Sequence, residues 1–440
     1  MMKHLRQQGL SKGTLFSEMQ AARKHDANWK AGKTFSLVYY AGEEVSNVAK
    51  EAYNLFFHEN ALNPLAFTSL KKFETEIIAM SASLFHGNEQ VVGSLTSGGS
   101  ESILMAVKAY RDFARKHRPE IEHPEMILPI TVHAAFEKAA HYFGVKSVYI
   151  SVNEQFEVDV EQVRQAINDN TILIVGSAPN YPQGIMDPIE QLGQIAVAHN
   201  IPLHIDACLG GFIVPFLQQL GYPLAPFDFS VAGVTSISAD IHKYGYGAKG
   251  ASVILYKDDE YRRCQYFAYA DWPGGLFVSP TATGTRPGGA IASAWAVMNY
   301  LGVEGYKKLA QQTINTTKKF IEGIQQIQEL SILGNPQASI FTVASKEVNI
   351  FALADQMEIR GWHMDRQQLP NCLHFMITPA HEHVVEEFIV DLQQSVAEVK
   401  ANPALVQQGY AAMYGMIGQI PDKSQIQQYI LHTLDKEMRL

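Results

Sequence analysis

The sequence predicts an α/β protein whose mostly parallel central sheet is covered by helices on both faces, followed by a small C-terminal α+β domain. Three observations carry that reading. Between residues 91 and 205, short β-branched runs alternate with amphipathic ones across small-residue turns. At 440 residues the chain exceeds what one hydrophobic core usually supports, so a second unit is expected. After Arg286 the pattern shifts to long helical runs and then to a separate short set of strands and helices.

Residues 1–30 are polar and mildly helical, and 33–40, KTFSLVYY, read as an extended arm, of a kind that usually packs on something else. Helices are expected at 43–58 and 69–85, the second with Phe73, Ile77, Met80 and Leu84 on one side, and a loop at 60–67 joins them. Strands follow at 91–95, 126–130, 147–152, 172–176 and 202–205, with helices at 101–113, 136–143, 158–167 and 189–198. Two further strands, 234–238 and 253–256, flank a glycine-rich turn. Helices 291–301 and 303–327 lead to a unit with strands near 339–343 and 373–377 and helices 348–360 and 382–400. The tail holds a helical 406–416, a turn at Pro421 and a final helix. The expected domains are 1–62 (N-terminal helix and arm), 63–305 (large domain) and 306–440 (small domain).

Composition narrows the function. A net charge of −9 without a dense basic tract argues against nucleic acid as a partner. Three cysteines without CxxC spacing fit a reducing, cytoplasmic compartment, with neither a disulfide framework nor a cysteine zinc site. No apolar run reaches about 18 residues, and the opening MMKHLRQQGLSKG lacks a signal-peptide core, so no transmembrane anchor is expected. The HEH at 381–383 is not HExxH, so no metal is expected either.

Lys243 sits between a strand and three closely spaced glycines, preceded by His242. Taken alone it is a surface lysine in a hairpin; in company it is a candidate nucleophilic amine. Thr96–Ser102, TSGGSES, follows a strand and opens a helix, a plain Gly/Ser helix start or a cup for an anion. His133 follows the next strand, as a capping residue or as a ring that lies against another ring. Asp206 ends a strand, as a helix N-cap or as a carboxylate that keeps a ring nitrogen protonated. A phosphate cup, a stacking histidine, a strand-end aspartate and a lysine in this order are the set that pyridoxal phosphate needs.

TSGGSES, TVHAAFEKAA, HIDACLGGF and SADIHKYGYGAKG resemble the group II pyridoxal-phosphate decarboxylase family, and within it the sphingosine-1-phosphate lyase branch, from about Lys33 to Tyr414. The resemblance implies a fold-type I homodimer with active sites at the subunit interface. It implies Lys243 as the Schiff-base lysine, His133 on the cofactor ring, Asp206 at the ring nitrogen, and Gly99, Ser100 and His242 at the cofactor phosphate. Thr285 and Arg286, in TGTRPGG, resemble a loop that reaches the neighbouring subunit's site, Thr285 toward cofactor and Arg286 toward substrate. Tyr40 and Lys249 match residues that meet the substrate phosphate, and Tyr181 and Tyr414 match tyrosines at the reacting end. Asn63 stands where the family usually has a phosphate-site histidine, and an amide donates hydrogen bonds without bringing charge.

The implied reaction cleaves a phosphorylated long-chain base between carbons 2 and 3, to a fatty aldehyde and phosphoethanolamine. Tyr181, Lys249 or a phosphate oxygen would take the 3-hydroxyl proton. The alternative is amino-acid decarboxylation on the same fold, and a further one is an interaction protein without turnover. Family members from eukaryotes carry a membrane anchor, so this chain resembles the soluble prokaryotic form. Transient membrane contact through the N-terminal helix and delivery into a host cell both stay open.

Overall fold

The computed structural model describes residues 4–420 and 423–438, so the turn expected at Pro421 lies outside the described residues. Helices α1 (Lys12–Ala22), α2 (Glu43–Leu55) and α3 (Thr68–Leu84) come first. The alternating region then runs β1 (Val92–Thr96), α4 (Gly99–His117), β2 (Glu125–Pro129), α5 (Ala135–Phe143), β3 (Lys146–Ile150), α6 (Val160–Ala166), β4 (Thr171–Ser177), α7 (Ile189–His199), β5 (Leu203–Asp206), α8 (Val214–Gln219), β6 (Val234–Ala239) and β7 (Ser252–Tyr256). After α9 (Asp259–Gln265) and a hairpin of β8 (Phe267–Tyr269) and β9 (Phe277–Ser279) comes the long α10 (Gly288–Gln325). The second unit contains β10 (Leu330–Ile332), β11 (Ile340–Ser345), α11 (Ile350–Ile359), β12 (Asp365–Gln367), β13 (Cys372–Met376), α12 (Val385–Ala401), α13 (Gly409–Gln419) and α14 (Lys423–Glu437).

Among the described residues the main sheet has seven strands in the order β1-β7-β6-β5-β4-β2-β3. Strands β3, β2, β4, β5 and β6 pair in parallel, and β7 is antiparallel to both β6 and β1. Two antiparallel steps restore direction, so β1 runs the same way as β6. The carboxyl ends of β1, β2, β4, β5 and β6 therefore share one edge, where open α/β sheets bind ligands. The central strands β4, β5 and β6 are buried at every position, as helices on both faces require.

The short elements α8, α9, β8, β9, β10 and β12 were not expected from the sequence. Each spans only three to seven residues, too few for a periodic pattern to show. The two helices expected at 291–301 and 303–327 form one element with a break at Gly302, whose φ of 53° interrupts the helical backbone.

The expected domain limits shift in three dimensions. Tyr306, Leu309, Ala310 and Ile314 of α10 pack in the large core, and Phe320 and Ile324 in the small one, so the change-over falls along the helix rather than at 305. The N-terminal 62 residues are no separate unit. Phe35 of the arm is fully buried in the small-domain core, while Val45 and Ala49 of α2 belong to the large one. Helix α1 buries none of its side chains, and Leu15, Phe16 and Met19 are exposed on it. No helix among the described residues is long and apolar enough to cross a membrane.

Candidate active site

The loop joining β6 to β7 carries Lys243 and is held at several points. The backbone N–H of His242 donates to Ala251 O (3.0 Å), and that of Gly247 to Ile241 O (3.1 Å). Tyr306 Oη donates to Gly245 O (2.9 Å), and Tyr244 Oη to Ile377 O (2.8 Å), which ties the loop to α10 and to the small domain. Gly250 turns the chain into β7 at φ +103°, a conformation that L side chains rarely adopt. A lysine anchored this way loses little freedom when its amine is used.

Lys243 Nζ lies 3.0 Å from Asp240 Oδ2. Burial by itself would lower the pKa of this amine, but the charge of Asp240, with smaller help from Cys208 and Asp206, more than reverses that and raises it. Asp240, 2% exposed, is opposed by burial, yet Lys243 and His242 hold its carboxyl well below the usual range. Asp240 is the first residue that the sequence reading missed. Its signal was the spacing in SADIHK, which puts it one turn before the lysine.

Gly98 and Gly99 begin α4 at the end of β1. A Cβ built on Gly99 would lie 2.7 Å from Asp240 Oδ2 and 2.8 Å from Cys208 Sγ, and one on Gly98 3.2 Å from His242 Cε1. Only glycine leaves this cup open, and Ser100 is exposed beside it. His242 Nδ1 accepts from the N–H groups of Gly250 (3.3 Å) and Ala251 (3.2 Å), so a neutral ring carries its proton on Nε2, which is 3.6 Å from Asp240 Oδ2. Asp206 Oδ1 accepts from the Cys208 N–H (3.0 Å) and, more weakly, from Ser238 Oγ (3.4 Å), while among the described residues no hydrogen bond engages Oδ2. His133 Nδ1 accepts from the Ala135 N–H (3.1 Å), and its ring lies 6.2 Å from that of Tyr181. These groups come from the ends of β1, β2, β5 and β6 and meet at one sheet edge.

Lys249 Nζ donates to His242 O (3.2 Å) and sits 4.9 Å from the ring centroid of Tyr39. Partial burial of its ammonium, then the charge of Lys243, pushes its pKa down to about 8. Both residues line a cleft of about 370 Å³ under the arm and α2. Tyr40 is expected, with Lys249, at the substrate phosphate. It lines the same cleft, where it packs edge-on against Trp29 with ring centroids 5.5 Å apart, and Tyr39, which the sequence did not point to, is the tyrosine beside the lysine.

Across the site, Tyr181 Oη donates to Asp365 Oδ2 (2.7 Å) and the Tyr181 ring stacks on His374 at 4.4 Å. Tyr414 packs instead on Phe351, 4.6 Å between centroids, and among the described residues no contact joins it to Lys243. Arg286, expected at the substrate, is committed elsewhere. It pairs with Glu74 and donates to Leu95 O (3.2 Å) and Ala61 O (3.4 Å), a buried tie between α3, β1 and the loop before α3. Thr285 and Asn63 are exposed and are not brought to Lys243 within one chain; Asn63 Oδ1 caps its own turn by accepting from the Leu65 N–H (2.9 Å). Among the described residues no three His, Cys, Asp or Glu side chains gather as a metal site.

Residues 64–344 match the pyridoxal-dependent decarboxylase conserved domain. The sphingosine-1-phosphate lyase of Arabidopsis thaliana is 43% identical over 96% of this chain and 79% of its own length. Sphingosine-1-phosphate lyase 1 of Rattus norvegicus is 42% identical over 96% and 75%. The chain belongs to the sphingosine-1-phosphate lyase family. A solved lyase of that family, from Burkholderia pseudomallei, superposes with a TM-score of 0.88 at 38% identity, over 96% of this chain and 98% of the other. A glutamate decarboxylase of Lactobacillus brevis, 19% identical, shares the fold with a TM-score of 0.80 over 91% and 96%. The protein is thus a fold-type I, pyridoxal-phosphate-dependent lyase.

The residues of this lyase-family chain fit that cofactor. The glycine cup at the start of α4 has room that any side chain would fill. Lys243 is a buried amine at its rim, and Asp206 keeps one carboxylate oxygen free at the neighbouring strand end.

Proposed function

We propose that this enzyme cleaves phosphorylated long-chain bases of the sphingosine 1-phosphate type between carbons 2 and 3, giving a fatty aldehyde and phosphoethanolamine. The observation that carries the reading is Lys249 with Tyr39, a cation and a phenol on a cleft beside the loop of Lys243. They give a phosphate-bearing substrate a site next to the reacting lysine, which decarboxylation of a simple amino acid would not need.

Bound pyridoxal phosphate supplies an electron sink for the bond that breaks. Lys243 would provide the amine that holds the cofactor's aldehyde, and Asp206 would keep its ring nitrogen protonated by adding a negative charge. His133 would hold the ring. The backbone N–H groups of Gly99 and Ser100 at the helix N-terminus, with His242 Nε2–H, would hold its phosphate. Lys249 and Tyr39 grip the substrate phosphate, and that remote hold orients the reacting carbons.

The test is product analysis by mass spectrometry after incubation with pyridoxal phosphate and sphingosine 1-phosphate. Aldehyde and phosphoethanolamine from the wild type, and none from Lys243→Ala, are expected. Cofactor-loaded protein that yields no aldehyde would remove the substrate assignment and make amino-acid decarboxylation the next assay.

A pH effect follows from Lys249. Its ammonium is charged below about 8 and neutral above, so KM for the phosphorylated substrate rises as pH climbs through that value. Lys249→Ala should raise KM roughly tenfold at neutral pH, about 1.4 kcal/mol, and flatten this alkaline rise.

The reading includes a homodimer whose partner completes the site. The hairpin β8–β9 exposes Phe267, Trp272, Leu276 and Val278, an apolar surface suited to burial between two copies. Thr285 and Asn63, exposed in one chain, would then face the neighbour's site. Sedimentation should give a dimer, and Leu276→Glu with Val278→Glu should shift it toward monomer with loss of activity. The exposed Leu15, Phe16 and Met19 of α1 suit transient contact with lipid, which vesicle co-sedimentation tests.

A further inference from the structure

Asp365 lies on β12, an edge strand of the small domain, 184 residues from its partner Tyr181. A phenol has one proton, and Tyr181 donates it to Asp365 Oδ2 at 2.7 Å. The other carboxylate oxygen accepts from Ser36 Oγ of the arm at 3.1 Å, so the carboxylate is fixed from both sides. The ring of Tyr181 is clamped by His374, which burial keeps neutral by pushing its pKa down to about 4 and whose Nδ1 lies 3.1 Å from Pro182 O. Tyr181 and Tyr39 pack on the same small apolar cluster of Leu209, Ile340 and Met376.

The direction of that hydrogen bond decides what Tyr181 can do. With its proton turned to Asp365, the oxygen offers only lone pairs to the cleft, so it can accept a proton and cannot donate one. Burial, and then the charge of Asp365, also raises the phenol's pKa, so a standing phenolate is disfavoured and the two protons must move together.

We infer that Asp365 is the positioning residue of a concerted two-proton relay: the substrate's 3-hydroxyl gives its proton to Tyr181 Oη as Tyr181 gives its own to Asp365 Oδ2. This rests on the cleavage proposed above. The O–H bond of the substrate breaks and one forms on Tyr181, while the phenol's original O–H bond breaks and one forms on Asp365. The electron pair left on oxygen becomes the second bond of the aldehyde carbonyl, and the pair of the C2–C3 bond departs with carbon 2. The negative charge of Asp365 is neutralised in the same step. Asp365 is only partly buried and can return the proton to water. The titratable groups that feel its charge are Tyr181, Tyr39, Tyr414 and His374.

Asparagine can still accept from Tyr181 but cannot take its proton, so Asp365→Asn separates relay from geometry. Wild type, Asp365→Asn, Tyr181→Phe and the double variant are loaded with pyridoxal phosphate, loading is checked by visible absorbance, and aldehyde formation from sphingosine 1-phosphate is followed against pH. The expected result is full loading, an unchanged KM and kcat reduced about 100-fold in each single variant. The double variant should be no worse than Tyr181→Phe alone. Wild-type kcat in Asp365→Asn, or additive losses in the double variant, would overturn the relay and leave the lyase reading intact. Absence of aldehyde from the loaded wild type would overturn both.

Discussion

Lys243→Ala is expected to leave a folded protein without measurable aldehyde production, a loss of at least about 10⁴-fold, the scale on which removal of an enzyme's nucleophile acts. The structure shows why the loss should be chemical rather than structural. The loop is held by backbone hydrogen bonds and by Tyr244 and Tyr306, none of which uses the lysine side chain. What the variant does change is Asp240, a buried carboxylate left without its cation. Cofactor added to Lys243→Ala should therefore bind more weakly, without the spectral change that marks covalent attachment. Absorbance titration beside product analysis checks both. A variant with wild-type turnover would move the reaction to another amine, and Lys249 would be next to replace.

Arg286→Ala is expected to give the largest loss of stability, about 3 kcal/mol, near the low end for breaking a buried ion pair because Glu74 is 19% exposed. The guanidinium reaches one carboxylate and two carbonyls on three separate segments, so its removal leaves Glu74 uncompensated and two acceptors unpaired. Lysine should not restore the tie, since a point charge cannot make the forked contacts. Chemical denaturation reads the effect as a lowered midpoint. If Arg286→Ala unfolds at the wild-type midpoint but shows a raised KM, the arginine serves substrate binding and not the fold.

Much of this architecture was legible in the chain. The alternating strands and helices between 91 and 205 emerged within a few residues of their observed limits, because a buried parallel strand must be β-branched and apolar while its covering helix must be amphipathic. The cofactor end was legible for a related reason. Lys243, Asp206, His133 and the Gly98–Gly99 turn each sit at the end of a strand or within a few residues of it, and strand ends share an edge whatever the loops do.

The substrate side was not legible to the same depth. Asp365 and His374 belong to the small domain, and nothing in a three-residue edge strand announces that it will meet a tyrosine from the large one. The arm's contribution turned on one position, Tyr39 against Tyr40, which depends on how an extended segment lies over α2 and the lysine loop. Arg286 was read toward substrate from its motif, yet its partner Glu74 comes from a helix 212 residues earlier.

By itself the sequence determined the fold class, the cofactor, the family and that Lys243, Asp206, His133 and the glycine turn share one sheet edge, because local periodicity and short motifs encode backbone and strand-end positions. Only the tertiary structure decided which tyrosine faces Lys249, what holds Tyr181 and what Arg286 is for. Those contacts join segments far apart in the chain, and their partners are chosen by packing between domains, which no local pattern records.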